Sequence, residues 1–470
     1  MKGYYHENFR LLSKVDPNGA EIIKRYGQEE MKVIPIKTKS GAITFQIEKD
    51  GRTVFLHSKY DPEKEARQFI CSKKIKDGDT VVVYGFGLGY HIKESLNCIG
   101  ENGRAFVIEP NVGLFKYALK YVNLNIFLSD KRLKIILENN LGAISKKLAG
   151  LMEEVQKKNG HLLVHRPSLE ITPDYADFLK QLLLEWQVKQ DTLIKFAGQL
   201  EENLIQNMDL IRRLPGAARI LHTINNIPVL LVAAGPSLDK SIEYIRAIQD
   251  RCLVFSVGTA LKPLLMHGIT PDLVIITDPH PIVVKQIEGV STKAPLIAFP
   301  TVHPAVLAEY PGLKLIACQQ GVDAIEKMAE ETGEELISTG GSVITAALDI
   351  AIRMGCNPVL FAGLDLGYVR GKTHAAGTMH EGLVIKDDLH LQEIPNNQKS
   401  TIKAPVNFNI FRKWIEDRIR KTGGEVKFFN MSAEGAVIKG APYMTWDEIK
   451  DFLQADQKPV KELLYKICST

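Results

Sequence analysis

The stretch NIPVLLVAAGPSLDKSIEYI, Asn226 to Ile245, runs from an unbroken apolar segment through a glycine-proline turn into a helical pattern. An unbroken apolar run suits a strand covered on both faces, and the amphipathic part that follows suits a helix packed back onto it. The same order stands earlier in the chain at GDTVVVYGFGLGYHIKESL, Gly78 to Leu96, and a further strand, AFVIEPN, follows from Ala105 to Asn111. A parallel sheet therefore begins twice. The chain is read as α/β, with two Rossmann-like parallel-sheet units joined by a helical segment.

Outward from the second start, apolar runs recur as CLVFSV (Cys252 to Val257), LVIITD (Leu273 to Asp278), LIAF (Leu296 to Phe299), LKLIAC (Leu313 to Cys318) and PVLFAG (Pro358 to Gly363). Helical patterns separate them, which predicts one doubly wound domain of roughly 200 residues. Ahead of the first start, VIPI, ITFQI and TVFLH are punctuated by KSG and KDG and predict a small N-terminal β meander. From Pro173 to Leu214 the only glycine is Gly198, and large apolar residues recur at helical spacing, as in one long helix or a helical pair. Gly371 to Lys403 is polar without periodicity and reads as a long surface loop of the kind used as a lid. Helical spacing resumes from Asn409 to Lys421, then come strand VKFFN (Val426 to Asn430) and a C-terminal helix after Thr445. The expected divisions are 1–75, an α+β region; 76–165, a methyltransferase-like unit; 166–220, a helical linker; 221–440, the catalytic domain; and 441–470, a helical end.

With 470 residues the chain exceeds a lone binding module, and its net charge of +4 is too small and too mixed for a nucleic-acid footprint. No run approaches the ~20 apolar residues of a membrane span. The six cysteines stand singly, with no CxxC and no neighbouring histidine cluster, and no metal site is read from them. Met1 to Asp16 lacks the pattern of a secretory leader, so a soluble cytoplasmic protein is expected.

Several groups fall where strands end. Gly85-Phe86-Gly87-Leu88-Gly89 follows a strand, and Glu109 closes the next, where an acidic residue binds ribose hydroxyls; Tyr90 replaces the last glycine of a dinucleotide fingerprint. The alternative is a turn that only needs positive φ. In Ala233 to Asp239, Gly235 permits close approach, Pro236 suits a first helical turn, and Ser237 and Leu238 begin a helix whose free N–H groups form an anion site; the alternative is a self-capped helix start. Thr277 and Asp278 end a buried strand, where Asp278 either binds a hydroxyl or metal or caps the next turn. Thr339-Gly340-Gly341-Ser342 precedes an apolar helix, and Asp365 and Tyr368 follow PVLFAG, so three sites converge on one sheet edge. His374, His380 and His390 lie in the polar loop, where a general base is plausible chemistry. GxxxxGK[ST], HExxH and GxSxG are all absent, which disfavours P-loop phosphotransfer, zinc proteolysis and an α/β-hydrolase.

The ordered set SKYDP (Ser58 to Pro62), GFGLGYH (Gly85 to His91), VIEPN (Val107 to Asn111), AGPSLD (Ala234 to Asp239), PDLVIITDP (Pro271 to Pro279), TGGSV (Thr339 to Val343), GLDLGY (Gly363 to Tyr368) and EGAVIKG (Glu434 to Gly440) resembles the motility accessory factor (Maf) family of flagellin glycosyltransferases. The central part is also similar to the 6-hydroxymethylpterin diphosphokinase (MptE-like) family and to bacterial sialyltransferases, whose GNGPSL turn holds the CMP of the donor. Here Ala234 replaces that asparagine. The resemblance implies transfer of a pseudaminic, legionaminic or sialic type nonulosonic acid from its CMP-activated form to Ser or Thr of flagellin, in support of flagellum assembly and motility. The sialyltransferase segments match Gly235 to Leu238, loosely Gly341-Ser342, and Asp365, whereas that family's base histidine, ahead of the helix that begins near Asn409, has no counterpart and His374 is taken in its place. With the strand-end residues this puts the nucleotide on Gly235, Pro236, Ser237, Leu238, Thr277, Gly340, Gly341, Ser342 and Tyr368 and catalysis on His374, Asp365 and Asp278. No cofactor is required, a divalent metal is compatible, and so is a homo-oligomer. The alternatives are a pterin diphosphokinase with magnesium on Asp278 and Asp365, and a non-catalytic flagellin or nucleotide-sugar binder.

Overall fold

The computed structural model describes every residue except 1–2, 28–30, 50, 141, 145, 148–149, 152–158, 174–182, 184–197, 383–390, 454–457 and 470. It divides into two compact units, Met1–Asp191 and Thr192–Thr470.

In the first unit, β1 (Lys32–Lys37), β2 (Ile43–Lys49) and β3 (Arg52–Phe55) form the antiparallel meander that the turn signals predicted. A four-stranded parallel sheet follows in the order β6-β5-β4-β7, with β4 Thr80–Tyr84, β5 Arg104–Glu109, β6 Leu133–Leu137 and β7 Gly160–Val164. Both faces are covered, which explains the unbroken apolar run of β4. Val81 and Val83 pack with Phe86, Ile92 and Phe115, whereas Val82 and Tyr84 pack with Ile108 and Leu162 on the other side. The helix α1 (Tyr90–Ile99) starts directly after the glycine turn.

The second unit is built on a seven-stranded, wholly parallel sheet ordered β12-β11-β10-β9-β8-β15-β18. Its strands are β8 Ile227–Val232, β9 Leu253–Val257, β10 Leu273–Ile276, β11 Leu296–Ala298, β12 Lys314–Ile316, β15 Cys356–Ala362 and β18 Phe428–Asn430; the short pair β13 (Cys318–Gln319) and β14 (Leu336–Ile337) stands apart. The chain lays strands outward from β8 to β12 and then returns to place β15 on the other side of β8. Strand order thus reverses between β8 and β15, and a crevice opens where the two following connections diverge. Three helices border it: α2 (Leu238–Ile248), α3 (Val343–Met354) and α4 (Val406–Arg420).

One expectation changes. The polar segment Gly371 to Lys403 is not loop throughout: β16 (Leu391–Pro395) and β17 (Thr401–Pro405) pair as an antiparallel hairpin around a turn in which Lys399 takes φ +62°. Of its strand residues only Ile394 and Ala404 are buried, so its composition carries little apolar alternation. Of the helical expectation from Pro173 to Leu214, residues 198–211 are helical, while most of its first half lies outside the described residues. No helix among the described residues is long and apolar enough to cross a membrane.

Candidate active site at the strand-order reversal

The ends of β8 and β15 are tied by backbone hydrogen bonds, Ala233 N–H to Ala362 O at 2.9 Å and Gly235 N–H to Gly363 O at 2.8 Å. This closeness is why position 235 carries no side chain. A Cβ there would stand 2.5 Å from Asp365 Oδ2 and 2.6 Å from the Gly363 carbonyl.

Asp365 is buried at 2% exposure, and its Oδ2 accepts the Ser237 N–H at 2.8 Å. The amide expected to hold a phosphate therefore holds a carboxylate of the protein itself. Of the residues expected to hold the anion, Ser237 has its N–H on Asp365 and its hydroxyl on Ser432 (3.0 Å), while the side chain of Leu238 is core. Burial holds the Asp365 pKa above the ordinary carboxyl value, against the hydrogen bonds from Ser237 and Ser432. Its Oδ1 has no partner among the described residues. The EGAVIKG segment fixes this strand end from behind: the Ala436 N–H donates to the Asp365 carbonyl at 2.8 Å, and a Cβ on Gly435 would lie 3.0 Å from Asp365 Cα.

Asp365 lines a cavity of about 160 Å³ together with Gly235, Thr259, Ser342, His374 and Phe411. Val343 and Ile344, the first two residues of α3, also border it, and no acceptor faces their N–H groups among the described residues. Ser342 and Thr345 cap one another, and Thr345 Oγ1 takes the Gly340 N–H at 2.9 Å, so the TGGS turn is fixed while the next two amides remain free. Gly340 is forced by packing, because a Cβ there would come within 2.5 Å of the Trp414 ring. The base of α3 is anchored by buried Asp349, which pairs with Arg353 at 2.9 Å and Arg418 at 2.6 Å.

His374 has a buried Nδ1 without a partner among the described residues, and burial, with His380 adding to it, pushes its pKa down to about 4. The two rings lie 4.7 Å apart. His380 is itself lowered by burial, and the Asp278 carboxylate opposes that shift. Asp278 is half-buried, caps its own turn by accepting the His280 N–H at 2.8 Å, and does not line the cavity.

Of the residues singled out in the sequence, the cavity gathers Gly235, Ser342, Asp365 and His374. Pro236, Ser237, Leu238, Thr277, Asp278, Gly340, Gly341 and Tyr368 do not line it; the Tyr368 ring instead meets Phe408 edge-on at 6.0 Å. His390 lies outside the described residues. Phe408 and Phe411 border the cavity and were missed because their spacing within α4 reads as a core stripe; Thr259 carried no signal at all.

In the first unit the corresponding turn is closed by its own acceptors. Glu109, buried at 1%, accepts the N–H groups of Phe86 and Asn111 at 2.8 Å each and also that of Gly87, and the Leu88 N–H donates to His57 Nε2 at 3.0 Å. Glu109 is therefore unavailable for ribose hydroxyls. The histidine belongs to a group, His57, His91 and His165, whose members stand too far apart in the sequence for local spacing to reveal it.

Residues 202–371 match the model of the 6-hydroxymethylpterin diphosphokinase MptE-like family. A protein of Treponema pallidum (strain Nichols), described as uncharacterized, is 27% identical over 212 residues; the match takes in 43% of this chain and 36% of that protein, so it spans about a third of the relative's length. The fold is similar to that of the MAf glycosyltransferase from Magnetospirillum magneticum AMB-1, with a TM-score of 0.51, 17% identity, and coverage of 99% of this chain and 78% of that one.

Proposed function

We propose that the chain is a glycosyltransferase that moves a nonulosonic acid from its CMP-activated form to a Ser or Thr hydroxyl of a protein acceptor, flagellin. The observation that carries this reading is the cavity at the β8/β15 reversal, where two helix N-terminal amides and a carboxylate oxygen, all without a partner among the described residues, meet a neutral histidine. The likeness of the whole fold to a MAf glycosyltransferase supports it.

Each group has a distinct task. The leaving CMP phosphate gains negative charge as the bond to the sugar breaks, and the amides of Val343 and Ile344, at the positive end of α3, stabilise that charge. Asp365 Oδ1 repels a phosphate but accepts from a hydroxyl, so it orients the sugar or ribose. His374 takes the proton of the acceptor hydroxyl as its oxygen bonds to the anomeric carbon; a nitrogen kept neutral by burial is free to receive it. Phe408 and Phe411 offer faces for the cytosine ring. The cavity is smaller than a whole donor, and the reading places only the phosphate and its nearest atoms within it.

The MptE-like match over 202–371 keeps a second reading in view, diphosphate transfer from ATP to a pterin. Against magnesium held jointly by Asp278 and Asp365 stands their placement, since only Asp365 lines the cavity. The test is incubation of the full chain with CMP-activated nonulosonic acid and flagellin, following CMP release and the acceptor's mass. Release coupled to a mass gain of one sugar supports the proposal. Turnover of ATP with hydroxymethylpterin, and none with the CMP donor, overturns it.

A further inference from the structure

The parallel sheet of the first unit reverses its strand order as the second unit's does. The chain lays β4, β5 and β6 outward in one direction and then returns to place β7 on the other side of β4, so a crevice opens at the carboxyl ends of β4 and β7. Those ends are tied by the His165 N–H, which donates to the Tyr84 carbonyl at 3.0 Å. The glycine turn after β4 is closed by Glu109 and His57, yet a cavity of about 320 Å³ remains, bordered by the helix Pro62–Cys71 and by the first residues after β7.

Backbone groups fix the protons of two imidazoles on its wall. The Leu88 N–H donates to His57 Nε2 at 3.0 Å, so the neutral His57 ring carries its proton on Nδ1, which faces the Glu65 carboxylate at 3.6 Å. His91 Nε2 lies 2.9 Å from the Gly85 carbonyl, which only accepts, so the neutral His91 ring is protonated there and its Nδ1 is a lone pair. His91 is 2% exposed, and that Nδ1 is buried with no partner among the described residues. An acceptor withdrawn from water with nothing to accept from costs roughly 1–3 kcal/mol, and a ligand that donates to it removes the cost. Lys73 and Arg166 also border the cavity. Its one carboxylate, Glu65, is engaged by His57 and by the Ser58 N–H at 3.0 Å, while the exposed Arg166 forms no ion pair among the described residues.

We infer that this cavity binds a small hydroxylated anion of monosaccharide size, a sugar acid or a sugar phosphate, whose hydroxyl donates to His91 Nδ1 and whose charged group meets Arg166 at the mouth. The volume stands at the low end of the roughly 300–1,000 Å³ of small-molecule sites, which suits one sugar ring and is too small for a dinucleotide. A neutral hydroxyl fits the inner end better than an ammonium, because a charge there would leave water with no free carboxylate to pair with. Phe69, which meets His91 edge-on at 6.5 Å, and the buried Ala66 give the cavity an apolar wall for the carbon face of the ring. The guanidinium fork of Arg166 matches a carboxylate and a phosphate alike, so either anion serves at the charged end. The site is independent of the transfer proposed for the second unit.

The test is calorimetric titration of the full chain with glucuronate, with glucose 6-phosphate and, as the neutral reference, with glucose. The expected result is one site per chain for at least one of the two anions at millimolar concentration or below, with glucose bound about tenfold more weakly. The anion that binds more tightly identifies the charged group. His91→Gln keeps a donor for the Gly85 carbonyl but removes the Nδ1 lone pair, and Arg166→Gln removes the charge at an exposed position. Each should weaken binding about tenfold, while His374→Ala should leave it unchanged. Binding of neither anion, equal binding of anion and glucose, or unchanged affinity in either of the first two variants overturns the inference, as does a loss in His374→Ala that Arg166→Gln does not share. If His91→Gln does not fold, the glucose comparison and the Arg166→Gln shift decide.

Discussion

The two glycine turns at the two sheet edges are made of the same parts, and they differ in which donors are left over. After β4, the N–H groups of Phe86, Gly87 and Leu88 are all taken, by Glu109 and His57, and φ is positive at Gly85, Gly87 and Gly89. After β8, Asp365 takes the Ser237 N–H in the same way, yet a second helix start, at Ser342, faces the same crevice with two free amides. A glycine turn before a helix is therefore a scaffold in both units. What separates an anion site from a closed turn is whether another part of the chain supplies the acceptor.

The largest expected effect lies in the second unit. His374→Ala should lower turnover by 10²–10⁴-fold with donor affinity little changed, read from steady-state kinetics and CMP calorimetry. A loss confined to affinity would move His374 from the base role to phosphate contact.

Next comes a stability effect in the first unit. Burial raises the Glu109 pKa to about 7, so the folded chain keeps a proton that the unfolded chain releases above its ordinary value of 4.5. A raised pKa contributes stability that is complete below about pH 4.5 and is lost as pH rises through 7, an effect of order 3 kcal/mol. Denaturant unfolding across that window should show the slope in the wild type, and Glu109→Gln should flatten it.

The paired glycine variants are smaller. Gly87→Ala, at φ +56° with its Cβ 2.8 Å from His57 Nε2, should cost about 1–3 kcal/mol of stability and leave CMP affinity intact. Gly235→Ala should cost a similar amount and also weaken CMP binding, because the new methyl displaces Asp365. Equal CMP affinity in the two variants would erase the distinction drawn between the turns.

The smallest effect is on the pH profile. With the His374 pKa near 4, kcat/KM should change less than twofold between pH 8 and 6 and fall by half only near pH 4. Half-loss near pH 6.5 would mean a solvated histidine or a different base.

Local patterns made the strands and both helix starts legible. Apolar runs such as VVVY and VLLV need cover on both faces, and the glycine turns behind them need close approach, so the parallel sheets and the convergence of Asp365, Ser342 and His374 followed from local residues. Occupancy did not. Whether the Ser237 amide is free depends on a carboxylate 128 residues away, and nothing near Ser237 records it. The histidine cluster hid for the same reason, since its members come from three separate elements. Phe408 and Phe411 share helical spacing with core residues, and only the position of α4 at the crevice distinguishes them.

The account rests on the phosphate sitting at the start of α3, and calorimetric titration of CMP into Ser342→Asp tests that most directly. Aspartate is a good N-cap, so the helix and fold should persist, while its charge stands at the two amides that would hold the anion. The account predicts CMP affinity at least tenfold weaker than in the wild type with thermal stability retained. Unchanged CMP affinity in this variant would contradict it.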